Sequence, residues 1–331
     1  MTSQSELTRT PLPADFGGRC LAGEAVFGAE VLMPSTTVLG LPKEGSYFYG
    51  SWRDEDGALL RALRGVNGDS SPFRFLFTSA PGRQLARDPQ ADAGLFSGPV
   101  TTTRDGDSVT FASVGAQPSN AFSWVHRPDG VDWSEGDYLS VSGRSLGPGL
   151  QWFNTFAGGA CYSITAKYRS SGLFQGRRVE GFVGHEIHYF PAGMDWVRSV
   201  FGRGREICWQ QVANEYEDGS TIQGTFAFGQ DGWGFAMLHD EHGQFHCTTD
   251  VRVAARVRPS GYPESIRYSF LDQSWTWRID PLGERAPVSP GSPLFGADGT
   301  CTRDGDTRKV RFGLGNSDWW TDGRGDAVTV G

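Results

Sequence analysis

The chain lacks any window of about 18 continuously apolar residues, which excludes a membrane-spanning helix. Its opening, M-T-S-Q-S-E-L-T-R-T-P-L-P, lacks the basic start and apolar run of a secretory signal, so a cytoplasmic protein is expected. Cysteine is sparse and scattered. Cys20, Cys161, Cys208, Cys247 and Cys301 form no C-x-x-C pair, so neither a disulfide framework nor a zinc knuckle is indicated, and they read as reduced, mostly packed thiols. The net charge of -8 comes without long runs of one sign, which argues against a nucleic-acid partner. Helix-length amphipathic segments are missing from both halves, so helices are not expected to build the fold.

What the 331 residues do contain is 11 Trp, 9 Tyr and 22 Phe beside 46 Gly and 18 Pro, a mixture that suits pleated sheets and tight turns. Asp-Gly pairs begin at Asp56, Asp105, Asp129, Asp218, Asp231, Asp298, Asp304 and Asp322, with Asn67-Gly68 as a further signal of the same kind. Each supplies the positive φ values of a tight hairpin turn. The turns at Asp218-Gly219, Asp231-Gly232 and His242-Gly243 fall 13 and 11 residues apart, the spacing of an up-and-down meander. About nine candidate strands lie before residue 170 and about nine after it. The expected fold is all-β, with two lipocalin-like antiparallel barrels or strongly curved sheets in tandem, residues 1–170 and 171–331, joined near the Gly-rich stretch 170–176. A single large sandwich is the competing layout. Residues 1 to about 40 read as an irregular arm, Pro281, Pro287, Pro290 and Pro293 as a long loop, and Val310–Leu314 and Ala327–Val330 as closing strands.

Alternation assigns faces. Along Thr221–Phe228, Ile222, Phe226 and Phe228 share one side while Gln223 and Thr225 share the other; along Trp233–His239, His239 points where Trp233, Phe235 and Met237 point. Two motif matches fail on context. Gly143-Arg144-Ser145-Leu146-Gly147 fits a nucleophile elbow, but Pro148-Gly149 follows where a helix is required. Gly202-Arg203-Gly204-Arg205 lacks the G-K-[ST] ending of a phosphate loop and reads as a turn.

Chemistry concentrates in G-F-V-G-H-E-I-H-Y-F-P-A-G-M-D-W, Gly181 to Trp196. On a strand His185 and His188 lie on opposite faces, whereas Glu186 and His188 lie together. A metal site would need His239 or His246 to converge on them, so no metal and no cofactor is expected. The candidate catalytic residues are Glu186, His188, His185 and Asp195: a carboxyl in an aromatic pocket keeps its proton, and a nearby imidazole orients it or takes a proton back. Tyr189, Trp196, Trp209, Gln211, Trp233 and His239 are the candidate substrate-binding residues, the indoles forming walls for a flat apolar ligand. Ordinary core packing is the competing reading for each Trp and for His239.

The passages Y-F-Y-G-S-W-R-D-E-D-G, V-E-G-F-V-G-H-E-I-H-Y-F-P-A-G-M-D-W and E-Y-E-D-G-S-T-I-Q-G resemble the bipartite lipocalin-like proteins grouped with AttH and carotenoid 1,2-hydratase (hydroxyneurosporene synthase). The resemblance implies two lipocalin-like barrels and an apolar internal pocket near Gly184-His185-Glu186 and Asp195-Trp196. It also implies relatives that hydrate alkenes or cyclise reactive substrates. Glu186-Ile187-His188 stands where some relatives carry Asp-His-Ser-Trp-like text, which separates the mechanism from theirs. The function expected is a cofactor-independent hydratase, dehydratase, isomerase or cyclase acting on a hydrophobic small molecule such as a terpenoid or polyketide. A non-catalytic carrier of a hydrophobic metabolite is the alternative, and carbohydrate binding is disfavoured by the absent secretion signal. A homodimer is compatible with the sequence.

Overall fold

A computed structural model describes residues 20–79, 84–154, 160–285 and 292–330. Antiparallel strands build almost all of it, and its two α-helices are single turns, Ala29–Leu32 and Pro89–Gly94. The aromatic and Gly-turn composition acts as expected: Gly57, Gly68, Gly106, Gly219, Gly232, Gly305 and Gly323 all take positive φ.

Ten strands close a first barrel. In spatial order they are Cys161–Phe174, Leu139–Ser145, Gly130–Glu135, Phe122–Arg127, Ser108–Ser113, Gly98–Asp105, Ser70–Thr78, Leu59–Asn67, Leu41–Asp54 and Arg177–Tyr189, the last pairing back onto the first. Gly149–Asn154 and Cys20–Ala25 extend this sheet beyond the free half of Cys161–Phe174. Inward residues fill the bore: Phe48, Trp52, Phe111, Trp124, Trp133 and Tyr168 are buried, with Phe48 4.4 Å from Trp124 and Trp124 5.6 Å from Trp133. Burying each such ring contributes about 2–3 kcal/mol. Some polar groups in the bore are paired, Trp52 Nε1 to Ser170 Oγ at 2.8 Å and Arg64 to Glu135 in a two-point ion pair, whereas Trp124 Nε1 and both His185 ring nitrogens have no hydrogen-bond partner among the described residues.

Nine strands form a second, curled open sheet in the order Phe245–Thr248, Gly234–His239, Thr221–Gly229, Glu206–Tyr216, Val310–Trp320, Leu294–Arg303, Gln273–Glu284, Pro263–Phe270 and Arg252–Val257. Its own core holds Ile222, Phe226, Phe228, Tyr268, Trp275 and Trp277, as the alternation of Thr221–Phe228 requires.

Several expectations shift. Residues 171–189 belong to the first sheet, because the stretch expected as a joint is a hairpin turning at Gln175-Gly176; the sheets divide between Tyr189 and Glu206. Asp298-Gly299 is not a turn but lies inside Leu294–Arg303, where its carboxylate serves as an ion-pair partner. Residues 20–40 are not an irregular arm, since Cys20–Ala25 pairs residue for residue with Gly149–Asn154; residues 1–19 lie outside the described residues. Pro281 sits within Gln273–Glu284 at a register shift that spares its missing N–H, and Pro287 and Pro290 lie outside the described residues. Asp326–Val328 is a 3-10 turn, with one isolated bridge from Thr329 to Ala255 in place of a closing strand.

Candidate active site

The outer face of the barrel packs against the outer face of the second sheet, and that seam is where the sequence's polar residues meet. Strand alternation turns Glu186 and His188 outward from the barrel, with Thr165 opposite Glu186 and Ser163 opposite His188 on one neighbour and Tyr47 opposite Glu186 on the other. Gly184 is required beside them: a Cβ there would lie 2.2 Å from the Tyr49 ring, which crosses the strand at that point. The second sheet presents Trp209 and Gln211, with Thr225 and Ala227 opposite them on one side and Asn316 and Asp318 on the other.

Glu186 is 8% exposed. Its Oε1 lies 3.5 Å from His188 Nε2 and accepts from Ser163 Oγ and Gln211 Nε2, each at 3.4 Å. Gln211 Oε1 accepts from Thr225 Oγ1 at 2.9 Å, and Lys167 Nζ donates to that hydroxyl at 3.0 Å, which makes one chain of polar groups across the seam. Burial works to lower the His188 imidazole, but the hydrogen bond and charge of Glu186, with the charge of Glu44, outweigh it and hold His188 above its ordinary 6.5. Burial pushes the Lys167 amine down to about 7 against the pull of Glu186.

Aromatic rings wall the network. Trp196 lies 5.3 Å from the His188 ring, 5.5 Å from Trp209 and 6.0 Å from Trp152, and stacks on Phe201 at 5.1 Å. Trp233 stands 5.9 Å from Trp152 and 5.2 Å from Phe201. The indole N–H groups of Trp152, Trp209 and Trp233 are buried without a hydrogen-bond partner among the described residues, and an unpaired buried donor costs about 1–3 kcal/mol.

Two acids that alternation alone did not select complete the site. Glu206 is 1% exposed; its Oε1 accepts from Trp320 Nε1 at 3.0 Å while Oε2 has no partner among the described residues. Burial pushes its carboxyl up to about 8, against the hydrogen bond of Trp320. Strict alternation puts Glu206 on the opposite face from Trp209 and Gln211; a register shift between Glu206 and Cys208 turns it back towards Trp320 on their face, which hides it from sequence reading. Asp318 keeps 35% of its side chain open, yet burial raises its carboxyl against the pull of Arg285 and Arg61. Below it Asp298 accepts from Ser51 Oγ at 2.7 Å and Arg61 at 2.8 Å, and pairs with Arg285 at 3.1 Å.

Of the residues expected from sequence, the seam brings together Glu186, His188, Trp196, Trp209 and Gln211, with Trp233 in the adjoining aromatic wall. His185 and Tyr189 are not with them: strand alternation turns both into the barrel bore. His185 sits 4.3 Å from Phe48, and Tyr189 Oη donates to Val31 O at 3.0 Å. Asp195 is spent at a turn, pairing with Arg198 at 3.2 Å and accepting from its backbone N–H at 2.8 Å. His239 Nε2 lies 2.6 Å from Glu24 Oε1 and Nδ1 3.2 Å from Gln223, a hydrogen-bonded structural arrangement. The residues expected to line a pocket inside the second half sit instead on outer faces, at the seam between the sheets. Among the described residues no group of three or more His, Cys, Asp or Glu side chains is placed to hold a metal ion, and no helix is long and apolar enough to cross a membrane.

No protein-family model and no curated protein sequence matches the chain. Among solved structures it is similar to a candidate AttH protein from Nitrosomonas europaea, at 16% identity and a TM-score of 0.47, over 84% of this chain and 92% of that one. It is also similar to kievitone hydratase from Nectria haematococca, at 10% identity and a TM-score of 0.46, over 89% of this chain and 93% of that one. The first bears the AttH name to which the sequence resemblance points. Similarity of this size carries no weight for activity, and the architecture rests on the strand pairings themselves.

Proposed function

We propose that the protein is an acid/base enzyme that adds water to, or removes it from, an apolar small molecule held in the seam between the two sheets. The observation that carries this reading is the meeting at the seam of Glu186 and His188, 3.5 Å apart, with the Trp196 ring 5.3 Å from the imidazole and the buried Glu206, one of whose carboxyl oxygens has no partner among the described residues. The seam thus holds a carboxyl that keeps its proton at neutral pH together with an imidazole that Glu186 holds above its ordinary 6.5.

In the hydration direction Glu206 donates its proton to one carbon of a double bond, and the adjacent carbon gains positive charge facing the Trp196 and Trp209 rings. Water oxygen then bonds to that carbon and releases a proton to neutral His188, whose imidazolium Glu186 stabilises. The imidazolium then gives up that proton and Glu206 takes one back through solvent, which resets both groups, and the net change is addition of one water. Run backwards, the same groups dehydrate an alcohol; without water, they isomerise a double bond or close a ring. The reaction needs no cofactor. Gln211 and the unpaired Trp209 N–H would orient a polar end of the ligand.

The test is incubation with an extract of apolar metabolites in heavy water, with products read by mass spectrometry. The parent is expected to yield deuterium-labelled products, whereas Glu186→Gln and Glu206→Gln retain bound metabolite but yield none. Deuterated product from both variants at the parent's rate would remove these carboxyls from the mechanism. Binding with no product from the parent would leave a carrier.

A further inference from the structure

A hollow of about 510 Å³ opens at the end of the first barrel, within the usual range for small-molecule sites. Its walls are mostly apolar, including Val26, Phe27, Pro148, Ala166 and Tyr168, with His126 among them. It is separate from the seam, because Ala166 and Tyr168 project to the opposite side of their strand from Thr165 and Lys167. It is the open mouth of the barrel bore, whose depth is packed by Phe48, Trp124 and Trp133.

His126 is 3% exposed, and its Nδ1 has no hydrogen-bond partner among the described residues. Its ring neighbours are Phe27 at 5.8 Å and Tyr168 at 6.4 Å, neither of which satisfies a ring nitrogen. Val26, at the lip, is 77% exposed. A roomy apolar hollow with one unpaired buried polar group describes a site for a ligand with an apolar body and one hydrogen-bonding end.

We infer that this hollow binds a neutral, hydroxyl-bearing apolar molecule, a phenol or alcohol whose hydroxyl pairs with His126. The choice of a hydroxyl follows from the wall chemistry. Burial and the neighbouring charge of Arg127 lower His126 to about 4, so the imidazole is neutral and offers one donor and one acceptor but no charge for a carboxylate. Asp107 on the wall repels anions further. Phe27, tilted against His126 and edge-on to His185, forms the inner face on which an aromatic body would rest.

The full chain is titrated at neutral pH with 2-naphthol, naphthalene and 2-naphthoate, following probe fluorescence. 2-Naphthol is expected to bind at one site, with 2-naphthoate weaker. His126→Phe should weaken 2-naphthol about fivefold, the worth of one hydrogen bond, and leave naphthalene unchanged. Ser145→Trp, which fills the hollow from its rim, should abolish both, and Trp209→Ala in the seam should change neither. The inference is overturned if 2-naphthol fails to bind the parent up to about 1 mM. It is equally overturned if His126→Phe and Ser145→Trp bind as the parent does, or if Trp209→Ala removes binding and so places the probe in the seam. Circular dichroism of each variant keeps loss of fold distinct from loss of site.

Discussion

Replacing Glu206 with Gln isolates the cost of burying an acid in the seam. Its folded carboxyl is lifted from 4.5 to about 8, whereas in the unfolded chain it ionises at its ordinary value. At about pH 4 both states hold the proton, and parent and variant unfold with similar free energies. As pH rises the unfolded chain releases the proton first, so the parent alone loses stability, and the loss is complete once pH passes the folded value. A span of about 3.5 in pH at about 1.4 kcal/mol per unit amounts to about 5 kcal/mol. Urea unfolding followed by tryptophan fluorescence across the pH range should show Glu206→Gln increasingly more stable than the parent, with a gap near 5 kcal/mol by about pH 8.5. A gap that stays flat from acid to alkaline pH would refute the reasoning, because it would mean that Glu206 titrates in the folded protein at its ordinary value.

Glu186→Gln should lower turnover by about 10²–10⁴ with ligand affinity within a few-fold of the parent's, measured as kcat and Kd on the same substrate. Asp298→Asn removes the charge shared by Arg61, Ser51 and Arg285 and should destabilise the protein by about 3–5 kcal/mol in denaturant unfolding, through two buried cations losing their anion. Turnover should fall above about pH 8 as Glu206 loses its proton, and in Glu206→Asp that alkaline limb should move or vanish. An unmoved limb would assign it to another group.

The fold was largely legible because its turns are written in Asp-Gly and its strands alternate. Alternation also separated His185 from Glu186 and His188 before any coordinates, and the same arithmetic sends Tyr189 to the bore with His185, since both are an even number of residues apart. Alternation could not say which face was the useful one. In an ordinary barrel the inward face holds the ligand, but here tryptophans fill the bore and the outer face is buried against a second sheet. Glu206 was hidden by its register shift, and Asp298 by an Asp-Gly pair that resembles a turn. The cluster of Ser51, Arg61, Arg285, Asp298 and Asp318 draws on segments far apart in the chain, and no local pattern announces such a meeting.

The most direct measurement is a pH titration by carbon NMR of protein labelled at the glutamate side-chain carboxyl carbon, with the Glu206 signal assigned by its absence in Glu206→Gln. One glutamate carboxyl, that of Glu206, should remain protonated through neutrality and titrate near 8. A Glu206 signal already ionised at neutral pH, titrating near 4.5, would contradict a proton-donating acid in the seam.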